Sequence, residues 1–201
     1  MIHAKARKKL GNFVLDAEVH DEGFISLLGN NGAGKSTFLN VIAGILRGDE
    51  SYVQIGSVDV TNKSIEKRST VLVTPQSYIP HLDVEKHLIW GATVQNHSLN
   101  YEEVIEVKKA LGIDYSGKLQ KLSLGMQERV ALATAILAGP KLILIDETFS
   151  NIDNKVDFVS KFRQLCADRK TDVIFTTQFK EDAQFSDHLY EMSAGKSTRI
   201  I

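Results

Sequence analysis

Short apolar runs alternate along the chain with segments whose apolar residues recur every three to four positions, the pattern of a mostly parallel sheet covered by helices. Phe24–Leu28 predicts a strand. A glycine-rich turn follows, then a helix whose Phe38, Leu39, Ile42, Ala43 and Leu46 share one face. Residues 71–73, Leu142–Ile145 and residues 173–175 predict three further strands. Leu142–Ile145 is apolar at four consecutive positions, as a strand buried on both faces must be, so it belongs at the centre of the sheet. Between residues 76 and 122 the chain turns polar and helical: residues 84–90 and 101–111 read as helices, the second with Val104, Val107 and Leu111 on one face and Gly112 as its stop. The expectation is therefore an α/β fold in one domain over residues 1–201, with a helical subdomain inserted at about 77–125.

Composition changes this picture little. At 201 residues the chain is long enough to bury one good core, and 43% apolar with 24% charged residues describes an ordinary globule. A net charge of −1 gives no electrostatic footprint for nucleic acid, and none is expected as a partner. The basic positions Lys5, Arg7, Lys8 and Lys9 read as a solvated edge. No run approaches the roughly 18 apolar residues of a membrane span, so a cytoplasmic protein is expected. Its single cysteine, Cys166, excludes an internal disulfide and falls on an apolar helical stripe with Phe158, Val159, Phe162 and Leu165. The six histidines show no metal-ligand spacing.

The chemistry lies in Gly29-Asn30-Asn31-Gly32-Ala33-Gly34-Lys35-Ser36-Thr37, which fits the P-loop pattern GxxxxGK[ST]. Its place between an apolar strand and an amphipathic helix is the one the mechanism needs. Glycines let successive N–H groups converge on phosphate oxygens, and the helix N-terminus adds partial positive charge. Lys35 would reach the β- and γ-phosphates of ATP, and Ser36 would ligate Mg²⁺. Asp146 ends the buried strand and Glu147 follows it. A carboxylate at that end of a parallel strand points into the ligand crevice, where Asp146 could hold Mg²⁺ while Glu147 polarises the attacking water.

These residues resemble the ATP-binding cassette (ABC) ATPases, a P-loop NTPase core with an inserted helical subdomain, over almost the whole chain. The discriminating stretch is Leu122-Ser123-Leu124-Gly125-Met126, similar to the family signature LSGGQ, followed by a helix starting Gln127-Glu128-Arg129. The resemblance implies a dimer in which Ser123 and Gly125 of one protomer face ATP held by a second ATPase protomer. It further implies that Gln76 is the glutamine that contacts Mg²⁺, that 150–153 is similar to the D-loop SALD, and that Gln178 stands where the family has a catalytic switch histidine. Phe13 is a candidate for the aromatic that stacks on adenine, or else a strand core residue. Thr148, Leu124 and Met126 depart from the family pattern, and the last two read as packing residues.

Two readings of use follow from the resemblance: a motor subunit bound beneath transmembrane permease subunits, or a soluble mechanical ATPase. No long coiled coil separates P-loop and signature, and no second core is present, which favours transport. Lys9-Leu10-Gly11-Asn12-Phe13 and Pro80-His81-Leu82-Asp83-Val84 are similar to molybdate and tungstate importer ATPases, whereas the LSLGM signature is similar to exporter ATPases. Importers of that group usually continue into a regulatory domain, and this sequence reaches Ile201. The apolar residues after Gln76, namely Tyr78, Ile79, Leu82, Val84 and Leu88, are expected to receive a short permease helix.

Overall fold

The structure is a computed structural model, and it describes residues 1–95, 97–149 and 151–201. The chain divides into two compact units: Met1–Leu72, Lys141–Asp146 and Asp172–Ile201 form the first, Val73–Pro140 and Glu147–Thr171 the second.

The first unit is built on a ten-stranded sheet. In chain order its strands are β1 (Ile2–Leu10), β2 (Phe13–Asp21), β3 (Phe24–Leu28), β4 (Glu50–Ile55), β5 (Val58–Asp59), β6 (Thr70–Val73), β7 (Leu142–Ile145), β8 (Asp172–Thr177), β9 (His188–Ser193) and β10 (Lys196–Arg199). They lie in the order β5-β4-β1-β2-β10-β9-β3-β8-β7-β6. At the centre β9, β3, β8 and β7 run parallel, and every residue of β3 and β7 is buried, which is why both read as unbroken apolar runs. The sequence pattern left the other half of the sheet unread. There β1 pairs antiparallel with β2 and β4, with Ile2, Ala4 and Ala6 facing inward and His3, Lys5 and Arg7 outward. Lys5, Arg7 and Lys9 are thus one face of a strand, and Arg7 meets Glu50 at 3.5 Å.

One helix of this unit, α1 (Lys35–Ala43), buries Phe38, Leu39, Val41 and Ile42 in the core formed with Leu15, Val53, Leu144 and Ile174. Each such side chain contributes up to about 1.5–3 kcal/mol of burial free energy. Gly44 (φ 84) ends the helix with its N–H on Val41 O. The last carbonyls have a second donor in Arg68, only 6% exposed, whose guanidinium bonds Val41 O (3.3 Å), Ile42 O (2.9 Å), Thr61 O (2.8 Å) and Lys63 O (3.0 Å). A buried cation is here satisfied by carbonyl dipoles at a helix C-terminus, where positive charge is favoured.

The second unit holds α2 (Val84–Val94), α3 (Tyr101–Ala110), α4 (Leu124–Leu137) and α5 (Lys155–Asp168). Asn100 opens α3 with a reciprocal capping box to Glu103, and Gly112 (φ 66) follows its end. All residues of α4 from Val130 to Leu137 are buried, so it forms the interior of the unit. Cys166 is buried, with its thiol pKa pushed well up by burial.

Candidate nucleotide site

In the first unit, residues 29–34 carry the chain from the end of β3 into α1. Gly29 N–H donates to Thr177 O (3.1 Å), and Gly195 N–H to Ala33 O (3.0 Å). The loop is gripped so closely that glycine is required at both places: a Cβ on Gly29 would stand 2.3 Å from Met192 O, and one on Gly195 2.0 Å from Val14 O. Gly34 (φ 105) begins the helix, and a Cβ there would meet the Phe13 ring at 2.9 Å. Phe13 therefore lies against the helix start, half-buried with one side on the core, a position compatible with either expected role.

Lys35 is 4% exposed, and its ammonium folds back to donate to Gly29 O (2.7 Å) and Asn30 O (3.2 Å). Ser36 and Thr37 follow in the first turn of α1, which is free of acidic residues. Beside the loop opens a cavity of about 270 Å³ whose walls include Asn30, Asn31, Gly32, Gln178 and Lys180. Gln178 is exposed and directly follows β8; Thr177 Oγ1 before it donates to buried Asp182 (2.5 Å) and accepts from Phe179 N–H (3.1 Å), which stiffens the turn. Asp146 follows β7, and its Oδ1 accepts from Thr176 Oγ1 at 2.8 Å. P-loop, Asp146 and Gln178 thus belong to one unit, at the C-terminal ends of parallel strands, where α/β sheets bind ligands.

The remaining expected site residues belong to the second unit. Glu147 follows Asp146 with φ 56, a left-handed conformation that costs an ordinary residue roughly 1–2 kcal/mol and turns the chain sharply out of the strand. Thr148 is fully buried and its hydroxyl donates to Val73 O at 3.4 Å. Gln76 is exposed on a turn closed by Ser77 N–H to Thr74 O (2.9 Å) and Thr74 N–H to Ser77 Oγ (2.9 Å). Ser123 is the N-cap of α4, its hydroxyl accepting from Met126 N–H at 3.3 Å, and Gly125 sits in the first turn. Of the D-loop stretch, Ser150 lies outside the described residues.

Two expectations need correction. Leu124 does not pack: it is 44% exposed, because the first turn of α4 projects from the unit. Val84 and Leu88 cannot receive a partner helix, since both are fully buried on the inner face of α2. The exposed large apolar residues of α2 and α3 are instead Ile89, Trp90, Val94, Tyr101 and Ile105. Sequence reading placed Glu128 and Arg129 in the helix after the signature and Asn151 in the D-loop stretch but missed that they bind the start of α4 to the segment before α5. A buried-charge signal at Glu128, an acid inside an otherwise apolar helix, was available.

A phosphate loop ahead of α1, an acid at the end of β7 and a serine-capped helix in an all-helical unit define a P-loop α/β ATPase with an inserted signature. Residues 14–150 match the family model described as ABC transporter, and the chain belongs to that family as an ATP-binding ATPase domain. It is 34% identical over 203 residues to the molybdate/tungstate import ATP-binding protein of Archaeoglobus fulgidus, covering 97% of this chain and 84% of that protein. It is 31% identical over 210 residues to the sulfate/thiosulfate import ATP-binding protein of Synechococcus elongatus, covering 98% of this chain and 61% of that one. Among solved structures, a dimeric ATP-binding cassette in a post-hydrolysis state bound to ADP and Pi aligns with TM-score 0.77 at 22% identity, covering 100% of this chain and 99% of that one.

Proposed function

We propose that this chain is the ATP-hydrolysing motor of a membrane importer, working as one of two such subunits beneath permease subunits, with an oxyanion such as molybdate or tungstate as cargo. The observation that carries it is the P-loop geometry: a backbone cradle, fixed by glycine contacts, around a buried lysine whose ammonium donates to two carbonyls of the same loop. Incoming phosphates offer that ammonium stronger acceptors than carbonyls. The oxyanion reading draws support from relatives named for molybdate/tungstate and sulfate/thiosulfate import. A paired state is supported by the dimeric cassette with the same fold.

In this reading the cassette is one domain with a helical subdomain at about 77–125. Lys35 and the amides of 30–37 bind the phosphates, and Phe13 offers a ring to the base. Mg²⁺ suits the hard oxygen donors of Ser36 and Asp146, with Gln76 as a further oxygen; bound there, it would neutralise charge on the phosphates. Glu147 takes the proton of the attacking water and Gln178 donates a hydrogen bond to the phosphate. Ser123 and Gly125 cover the nucleotide held by the second copy. The chain works at the inner membrane face through its permease, which Trp90 and Tyr101 and their apolar neighbours would contact.

The test is reconstitution with the permease subunits that co-purify with it. Glu147→Gln should keep ATP bound while turnover falls about 10²-fold or more, and Trp90→Asp should reduce co-purification of permease without changing ATP affinity. Wild-type turnover in the first variant would remove Glu147 from the role, and undiminished co-purification in the second would remove the docking surface.

A further inference from the structure

Gly125, Glu128 and Arg129 of α4 stand three and four positions apart and so share one helix face. Each is fixed to the segment that leads into α5. Asn151 O approaches Gly125 so closely that a Cβ there would lie 2.4 Å from it. Glu128, 1% exposed, accepts through Oε1 from Asn151 Nδ2 at 2.8 Å. Arg129 donates to Asp153 O and to Leu111 O (2.9 Å), with its guanidinium 4.8 Å from the centre of the Phe158 ring.

Glu128 is the costly member of this group. Its second oxygen, Oε2, is buried and has no hydrogen-bond partner among the described residues, and burial pushes the carboxyl pKa up against the opposing effect of the Asn151 hydrogen bond. An apolar side chain of the same size would fill the space without that desolvation cost. What an apolar residue cannot do is hold Asn151 in one orientation.

We propose that Glu128 and Asn151 are positioning residues, whose hydrogen bond sets where the 122–126 stretch stands against residues 151–153 and thereby how well Ser123 and Gly125 meet the nucleotide of a second copy. This rests on the reading, given above, that Ser123 and Gly125 face that nucleotide. Residues 151–153 follow Asp146 and Glu147 within a few positions. The segment therefore joins the carboxylates of one nucleotide site to the signature that completes the other, and the Glu128–Asn151 bond is where the two are clasped.

The experiment is sedimentation of the Glu147→Gln chain with Mg²⁺ and ATP. Asn151→Ala and Glu128→Ala should each weaken the ATP-driven dimer about tenfold, and the double variant should be no weaker than either single one, because both remove the same bond. Glu128→Gln, which keeps an acceptor oxygen, should dimerise like the parent. ATP affinity of the single chain should stay within about twofold throughout, since the P-loop is untouched. Additive losses in the double variant, or parental dimerisation in Asn151→Ala, would overturn the proposal; should Glu128→Ala not fold, Asn151→Ala and Glu128→Gln decide it. Ser123→Ala separates the two levels. If it weakens the dimer while the clasp variants do not, the clasp alone is wrong; if neither does, the signature reading itself fails.

Discussion

In the proposed reading the phosphate loop and the signature helix solve the same problem, holding a few atoms ready for a phosphate, by opposite means. Around the P-loop the fixing contacts are backbone hydrogen bonds and glycine positions that admit no Cβ, at Gly29 and Gly195. Around the start of α4 they are side chains: Ser123 capping, Glu128 on Asn151, Arg129 on Asp153 and Tyr115 Oη on Met126 O at 2.9 Å. A backbone cradle is insensitive to side-chain chemistry except at its lysine. A side-chain web can be tuned, and broken, one residue at a time.

The largest expected effect tests the first half of that contrast. Lys35→Ala should lower ATP affinity by about 10²-fold or more, the loss expected when one partner of a desolvated charge pair is removed, yet leave Tm nearly unchanged because backbone hydrogen bonds and glycine contacts fix the loop. Calorimetry with ATP alongside thermal melts checks both; a large drop in Tm would show that the cradle depends on its lysine. Next comes the side chain on which the first unit does depend. Arg68→Ala strips donors from four carbonyls and should cost about 2–4 kcal/mol in urea unfolding. A loss below 1 kcal/mol would mean that water replaces the guanidinium.

The web of the second unit should instead show itself in pH dependence. His87, 2% exposed, bonds through Nδ1 to Thr134 Oγ1 (2.8 Å), its Nε2 is buried without a partner among the described residues, and burial lowers its pKa to about 4. The folded state therefore binds fewer protons than the unfolded one between pH 6.5 and about 4. Stability is fully present above pH 6.5 and falls with acidification through that window, by on the order of 2–3 kcal/mol. His87→Gln should flatten the fall measured by urea unfolding at pH 7 and pH 5. An unchanged slope would assign the acid sensitivity elsewhere.

The same contrast explains what the sequence reveals. β3, the loop, α1, β7 and Asp146 are legible because their constraints are local: apolar runs, glycine spacing, a helix face. β1 and β2 escape because Ile2, Ala4 and Ala6 are mostly small and the residues between them basic, so the alternation reads as a polar edge. β4, β5, β9 and β10 have no more than six residues each and no unbroken apolar run, too few for a period. The Glu128–Asn151 bond spans 23 positions. Nothing local announces it.

Gln178 supplies the smallest and sharpest test, because it is a side chain placed by the backbone-built half of the site, exposed on the cavity wall beside Asn30 and Asn31. Its amide can donate a hydrogen bond to a phosphate oxygen in the ground state and the transition state alike. It cannot become cationic, so it offers little that grows as negative charge develops on the transferring group. A histidine at this position, with a pKa near 6.5 when unperturbed and raised by adjacent phosphate charge, would add that differential attraction. Gln178→His should therefore raise the single-turnover hydrolysis rate about three- to tenfold while ATP affinity stays the same. The gain should be greatest near pH 6, where imidazolium dominates, and shrink by pH 8.5 as the ring loses its proton; the parent chain, lacking that group, should show no such loss. Equal rates at both pH values would show that another step limits turnover and that position 178 only steadies the phosphate.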